Sequence, residues 1–176
     1  DATIALIGGA DITANFRPGT MAISIGMLLS ALAMTWHLVH FHYVKFNKES
    51  MYEVSKKIIL LCIPLLLSAQ FIAGILNEAL DLTDTNQELF ISMSHNIFGV
   101  LSIAIVVPIL EEVLFRGAIE GHLLRKGWSP KWAILVSALI FGIIHGNPAQ
   151  IPFAFLIGLL FGWLYYRTGS LVPGIV

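Results

Sequence analysis

Glu111, Glu112, Arg116 and His145 are the side chains in this sequence best suited to hold or move a proton inside apolar surroundings. The first three fall within PILEEVLFRG, residues 108–117. A charged side chain at the centre of a bilayer costs about 2.5–3.5 kcal/mol on insertion scales. Three in six positions therefore need either a place outside the bilayer or a task. On a helix, Glu112 and Arg116 are four residues apart and share a face, where they can pair. Glu111 is turned about 100° away from Glu112 and shares that arginine less easily. This leaves Glu111 free to face a polar cavity as a candidate general base.

The turn KGWSPK, residues 126–131, makes the segments before and after it an antiparallel hairpin. Glu111 stands about as far before its centre as His145 stands after it, so equal rise per residue brings the two to one height. Phe141, one turn before His145, is expected to pack beside the imidazole. Gly142 and Gly146 leave room around it. The bland alternatives are a Glu112–Arg116 pair that only pins helices, and a His145 that is simply a hydrogen-bonded helix-end histidine.

The elements that must position these residues are membrane helices. The chain has 176 residues, of which 57% are hydrophobic and only 12% charged, whereas soluble domains carry about 25% charged residues. A span needs about 20 mostly apolar residues, which selects residues 21–44, 58–80, 95–125, 132–145 and 148–166. A sixth apolar segment starts near Leu171. The fold expected is all-α, a polytopic transmembrane helical bundle of about five complete spans in one membrane-embedded domain, residues 1–176. Residues 94–176 carry the chemistry, and residues 1–93 supply an N-terminal arm and the first two spans. ATIALIGGA near the N-terminus lacks the basic flank of a signal peptide.

Lys45, Lys48, Lys56 and Lys57 lie between the first two spans. Arg125, Lys126 and Lys131 lie between the third and fourth, and Arg167 follows the fifth. Alternate crossings put all of them on one side, expected to be the cytoplasmic one. The acidic connection from Asp81 to Glu88 then faces outward. Gly127, Ser129 and Pro130 suit a helix stop followed by a helix start. Ala154, Gly158 and Gly162 form one small face for close helix approach. The net charge of −1 argues against a nucleic-acid partner. The single cysteine, Cys62, cannot form an intrachain disulfide and reads as a buried or lipid-facing residue.

EEVLFR and FGIIH, in that order and some 30 residues apart, resemble the E-E-x-x-x-R and F-x-x-x-H motifs of the CPBP (CAAX protease and bacteriocin-processing, or Abi) family. The run GLLFGWLYYRTGSLVPGI is similar to that family's approach to its last motif. The resemblance covers about residues 94–176. It implies an intramembrane endopeptidase related to type II CAAX prenyl proteases, in which Glu111 and His145 activate water against a peptide carbonyl. Glu112 and Arg116 would support that site. Its implied partners are the lipid bilayer of a prokaryotic cytoplasmic membrane and a membrane-associated protein or peptide, a prenylated one included.

No cofactor is expected. Zinc is conceivable for a glutamate–histidine cluster, but the H-E-x-x-H pattern is absent. The family's last motif, a histidine followed four residues later by an asparagine, would come directly after Val176, and the expectation is that the sequence continues there.

Phe141, Asn147 and Gln150 are candidates for substrate binding, although GNP also reads as a turn. His37, His40 and His42 are expected at the membrane interface, His122 as a helix-end residue, and His95 and Asn96 at the start of the third span. Two rival functions stay open. One is a non-catalytic scaffold or immunity-type protein of the same fold. The other is a transporter or metal- or haem-binding bundle using His37, His40 and His145.

Overall fold

The computed structural model describes residues 19–44 and 54–175. The arm at ATIALIGGA, Lys45, Lys48 and Val176 lie outside the described residues. In chain order the helices are α1 (Thr20–His40), α2 (Lys56–Ala79), α3 (Gln87–Ser94), α4 (Ile97–Arg125), α5 (Pro130–Ile144), α6 (Ile151–Thr168) and the short α7 (Val172–Ile175). No strand occurs among the described residues. The protein is a polytopic helical bundle.

Helices α1, α2, α4 and α6 are long and apolar enough to cross a membrane, and only 11% to 22% of their most apolar windows is buried inside the protein. So much exposed apolar surface would be untenable in water. In a bilayer it is the face that meets lipid, and the helices satisfy their own backbone groups. Of the five stretches read as spans, α5 is the short one. Its 15 residues rise about 22 Å, against a hydrocarbon core about 30 Å thick. It stops because Gly146 takes a left-handed φ of 61°.

The acidic connection also differs from its sequence reading. Part of it folds as α3, because Met93 finds a buried place at 1% exposure. Gly99 lets this happen, since any side chain there would run into the Met93 backbone carbonyl. Asn96 then caps α4 as expected, its side chain accepting from the Gly99 N–H at 2.7 Å.

Within α4 the helix widens twice into π-type turns, over Ser102–Val106 and Glu112–Glu120. The Val107 N–H reaches back five residues to the Ser102 carbonyl. Pro108, which follows, lacks an N–H and its ring crowds the preceding turn, so a locally wider turn relieves it. Such bulges recur at functional sites. At the far end, Trp128 N–H donates to Leu123 O at 3.1 Å and Gly127 N–H to Leu124 O at 3.0 Å. Gly127 sits at φ 83°. This is a Schellman stop, and α5 starts immediately after it with Pro130 in its first turn.

The small face of α6 does what its spacing predicts. Ala154, Gly158 and Gly162 are all buried. A Cβ on Gly158 would lie 3.0 Å from Ala138 of α5, so the two helices meet almost backbone to backbone. Helix α1 closes the other flank, where Ser102 Oγ, fully buried, reaches Ser24 O at 3.0 Å.

The cations of the described loops gather at one end of the bundle. Arg125 donates to Tyr43 O just past α1 at 3.3 Å, and the start of α2 shares a groove with Arg167 at the end of α6. At the opposite end Asn77 of α2 donates to Ala149 O at 2.8 Å.

Candidate active site

The hairpin of α4 and α5 brings Glu111 and His145 together. His145 Nε2 lies 3.9 Å from Glu111 Oε1, with the two side chains 23% and 29% exposed respectively. The other ring nitrogen, Nδ1, is 2.7 Å from the Phe141 carbonyl. A carbonyl can only accept, so Nδ1 carries the hydrogen, and in the neutral ring Nε2 is the acceptor nitrogen. With the ring neutral, two acceptors face each other across 3.9 Å. That is too long for a direct hydrogen bond, yet one water at about 2.8 Å from each could donate a hydrogen to both.

Phe141 fixes the imidazole. The two rings meet edge to face at 4.9 Å and 89°. On its other sides Phe141 touches the Phe115 ring at 4.8 Å and the Arg116 guanidinium at 4.8 Å from its centroid.

Glu112 and Arg116 form the expected pair, at 2.9 Å, with only 5% and 1% of their side chains exposed. The arginine also points at the carbonyls of Ile157 and Gly158, at 3.5 and 3.4 Å. The Glu112 carboxylate occupies the space that a side chain at Gly174 would need. One ion pair thus touches α4, α6 and α7, and reaches α5 through Phe141.

A cavity of about 470 Å³ opens in front of Glu111 and His145. Its remaining wall is largely apolar, with Asn86 and Gln150 as further polar groups. Asn147 has other partners. It is fully buried, donates to Asp84 Oδ1 at 2.7 Å and accepts from the Thr85 N–H at 3.2 Å. Its amide ties the turn after His145 to the α2–α3 loop. Gln150, the other substrate-binding candidate of that turn, does line the cavity.

Two functional-looking groups escaped the sequence reading. Glu120 is fully buried, and its carboxylate oxygens have no hydrogen-bond partner among the described residues. Its four-residue step from Arg116 repeats the Glu112–Arg116 spacing and was the available signal. Asp84 gave no signal, since its partner is 63 residues away.

Two of the other histidines, His37 and His40, are engaged in ring contacts. His40 stacks on Trp36 at 4.8 Å, and His37 lies against Phe41 and Tyr43 at 4.6 and 5.8 Å. Zinc sites use three or four protein donors. Among the described residues no three His, Cys, Asp or Glu side chains gather suitably, so Glu111 and His145 do not make such a site by themselves.

Residues 93–176 match the family model described as "Type II CAAX prenyl endopeptidase Rce1-like". A Bacillus subtilis (strain 168) protein named "Putative membrane peptidase YdiL" is 42% identical over 65 residues, 37% of this chain and 26% of that protein. The Lactococcus lactis subsp. lactis (strain IL1403) "UPF0177 protein YxdF" is 26% identical over 113 residues, 64% of this chain and 58% of that protein. The matched parts thus span about a quarter and somewhat over half of these relatives. No solved structure matches the chain.

Proposed function

We propose, on the match of residues 93–176 to the Rce1-like model of type II CAAX prenyl endopeptidases, that the protein is an intramembrane glutamate-dependent endopeptidase. The observation that carries this reading is the approach of Glu111 Oε1 and His145 Nε2, 3.9 Å apart on the wall of a cavity.

A water between them donates one hydrogen to each and turns a lone pair toward the cavity. As its oxygen bonds to the carbonyl carbon of a bound peptide, one proton passes to the Glu111 carboxylate. His145 holds the second hydrogen and fixes the attack direction. The tetrahedral adduct then collapses and the C–N bond breaks. The proton on Glu111 passes to the departing nitrogen, giving an acid and an amine and restoring the carboxylate. General acid–base help of this kind is worth roughly 10²–10⁴ in rate.

Glu112 and Arg116 act one layer back. They hold α4, α5 and α6 so that Glu111 and His145 stay at one height. The substrate class is a membrane-associated protein or peptide, prenylated C-termini included. The protein's setting is the prokaryotic cytoplasmic membrane, with the cation-rich end of the bundle on the cytoplasmic side.

The test is cleavage of membrane-associated peptides by the purified protein in phospholipid vesicles. Glu111→Gln and His145→Ala are each expected to abolish cleavage while the protein still folds. Full activity retained in both would overturn the reading.

A further inference from the structure

The cavity has a wall that does not come from the motif-bearing segment. The family-model match starts at residue 93, yet Asn86, Leu89 and Phe90 line the space in front of Glu111 and His145. We propose that α3 is the wall that selects the substrate, with Leu89 and Phe90 receiving an apolar side chain that flanks the scissile bond. The proposal rests on the peptidase reading above and adds the determinant of its specificity.

The wall is built to hold its shape. Met93 is its anchor, 1% exposed, while Leu89 and Phe90 remain 40% and 36% exposed. Gly99 admits the Met93 carbonyl against the start of α4. Thr20 and Ser92 share a hydrogen bond of 2.7 Å, which ties α3 to α1. The loop before α3 is fastened to the turn after His145, since Asp84 accepts from the buried Asn147 at 2.7 Å. Asp84 Oδ1 also accepts from the Asn86 N–H at 3.0 Å, so one carboxylate orders both the loop and the turn. The wall is thereby fixed relative to the imidazole it faces.

Chemistry sets what it accepts. Met27, Phe153 and Ile157 line the same cavity, so a side chain entering it loses its water to apolar surface. Charged and strongly polar side chains are disfavoured there. A cavity of about 470 Å³ lies in the range of small-ligand sites, enough for the side chains beside one peptide bond. The amides of Asn86 and Gln150 at the same cavity suit the backbone of an extended chain, which always offers an N–H and a C=O.

The experiment uses the full chain in phospholipid vesicles. Its substrates are ten-residue uncharged peptides that differ only in carrying Ala, Leu or Phe at one position beside the cleaved bond. Phe90→Ala and Leu89→Ala are expected to lower the kcat/KM ratio of the Leu peptide to the Ala peptide by about tenfold, the usual reach of a few methylenes in an apolar pocket. Phe90→Leu should retain most of the ratio.

A parallel measurement needs no turnover. Binding of the fluorescein-labelled Leu peptide to Glu111→Gln protein should weaken by a similar factor when Phe90→Ala is added. An unchanged ratio, with all peptides slowed equally, would overturn the proposal by showing α3 to be merely structural. Binding that depends on Phe90, with no cleavage of any peptide by the unmodified protein, would support the wall and overturn the peptidase reading. Neither cleavage nor Phe90-dependent binding would overturn both.

Discussion

Glu111 lies 3.9 Å from His145 with 29% of its side chain exposed, whereas its neighbour Glu112 lies 2.9 Å from Arg116 with 5% exposed. The two residues end in the same carboxylate and are one step apart on one helix. The close, dry pair has its charges matched and its arginine surrounded by carbonyls and an aromatic ring. The looser pair has an acceptor facing an acceptor and a cavity in front. Distance and burial therefore sort the glutamates by what each has left to do. Glu112 is occupied, and Glu111 is available.

The sharpest way to break this contrast is to neutralise each glutamate without changing its shape. Glu111→Gln should lower peptide cleavage by about 10²–10⁴ and leave unfolding in mixed micelles nearly unchanged. His145→Ala should match it in rate and cost little more in stability. A Glu111→Gln protein that cleaves normally would remove the distinction between the two sites.

Arg116→Met should do the opposite and act first on the fold. Removing one partner of a buried pair leaves a charge without compensation, a loss of about 3–5 kcal/mol. Steric trapping in bicelles would measure it. Adding Glu112→Leu should recover a large part of that loss, because two apolar residues no longer strand a charge. If Arg116→Met alone proved as stable as the parent protein, the pair would not be holding the helices.

Much of this contrast was legible in the sequence because it rests on local geometry. The four-residue step from Glu112 to Arg116 fixes a shared helix face, and the tight KGWSPK hairpin fixes the height of His145 against Glu111. The spacing of Ala154, Gly158 and Gly162 likewise announced the close contact with α5. What escaped depends on distant chain segments. Asn147 lies close to His145 in sequence, yet its amide is engaged by Asp84 and Thr85. No periodicity reports such a pairing. Helix α3 was hidden for a related reason: its place depends on Met93 docking against Gly99, while its own composition reads as a connection between spans.

The Asp84–Asn147 link offers a smaller test of how the first half of the chain supports the second. Asp84→Ala removes an acceptor and leaves the buried Asn147 amide unsatisfied, which costs about 1–3 kcal/mol. Cleavage should fall with it, because the turn that carries His145 loosens, and Asp84→Asn should restore part of both. A stability loss with no change in cleavage would show that the turn keeps its shape without the outer loop.

The smallest expected effect concerns the other end of the charged row. A methyl group on Gly162 would lie 2.7 Å from Glu120 Oε2 and 3.1 Å from Ile134 Cγ2. Gly162→Ala should therefore cost about 1–3 kcal/mol, the usual penalty for forcing volume into a packed interior. The carboxylate is the nearer obstacle, so shortening it should relieve most of the strain. In a Glu120→Ala background the same substitution should cost clearly less, an interaction of about 0.5–3 kcal/mol in a double-mutant cycle. Additive losses would mean that α6 is blocked by Ile134 and the helix backbone instead. Glu120 would then be a buried carboxylate that α6 tolerates, and its four-residue step from Arg116 would have no part in packing the site.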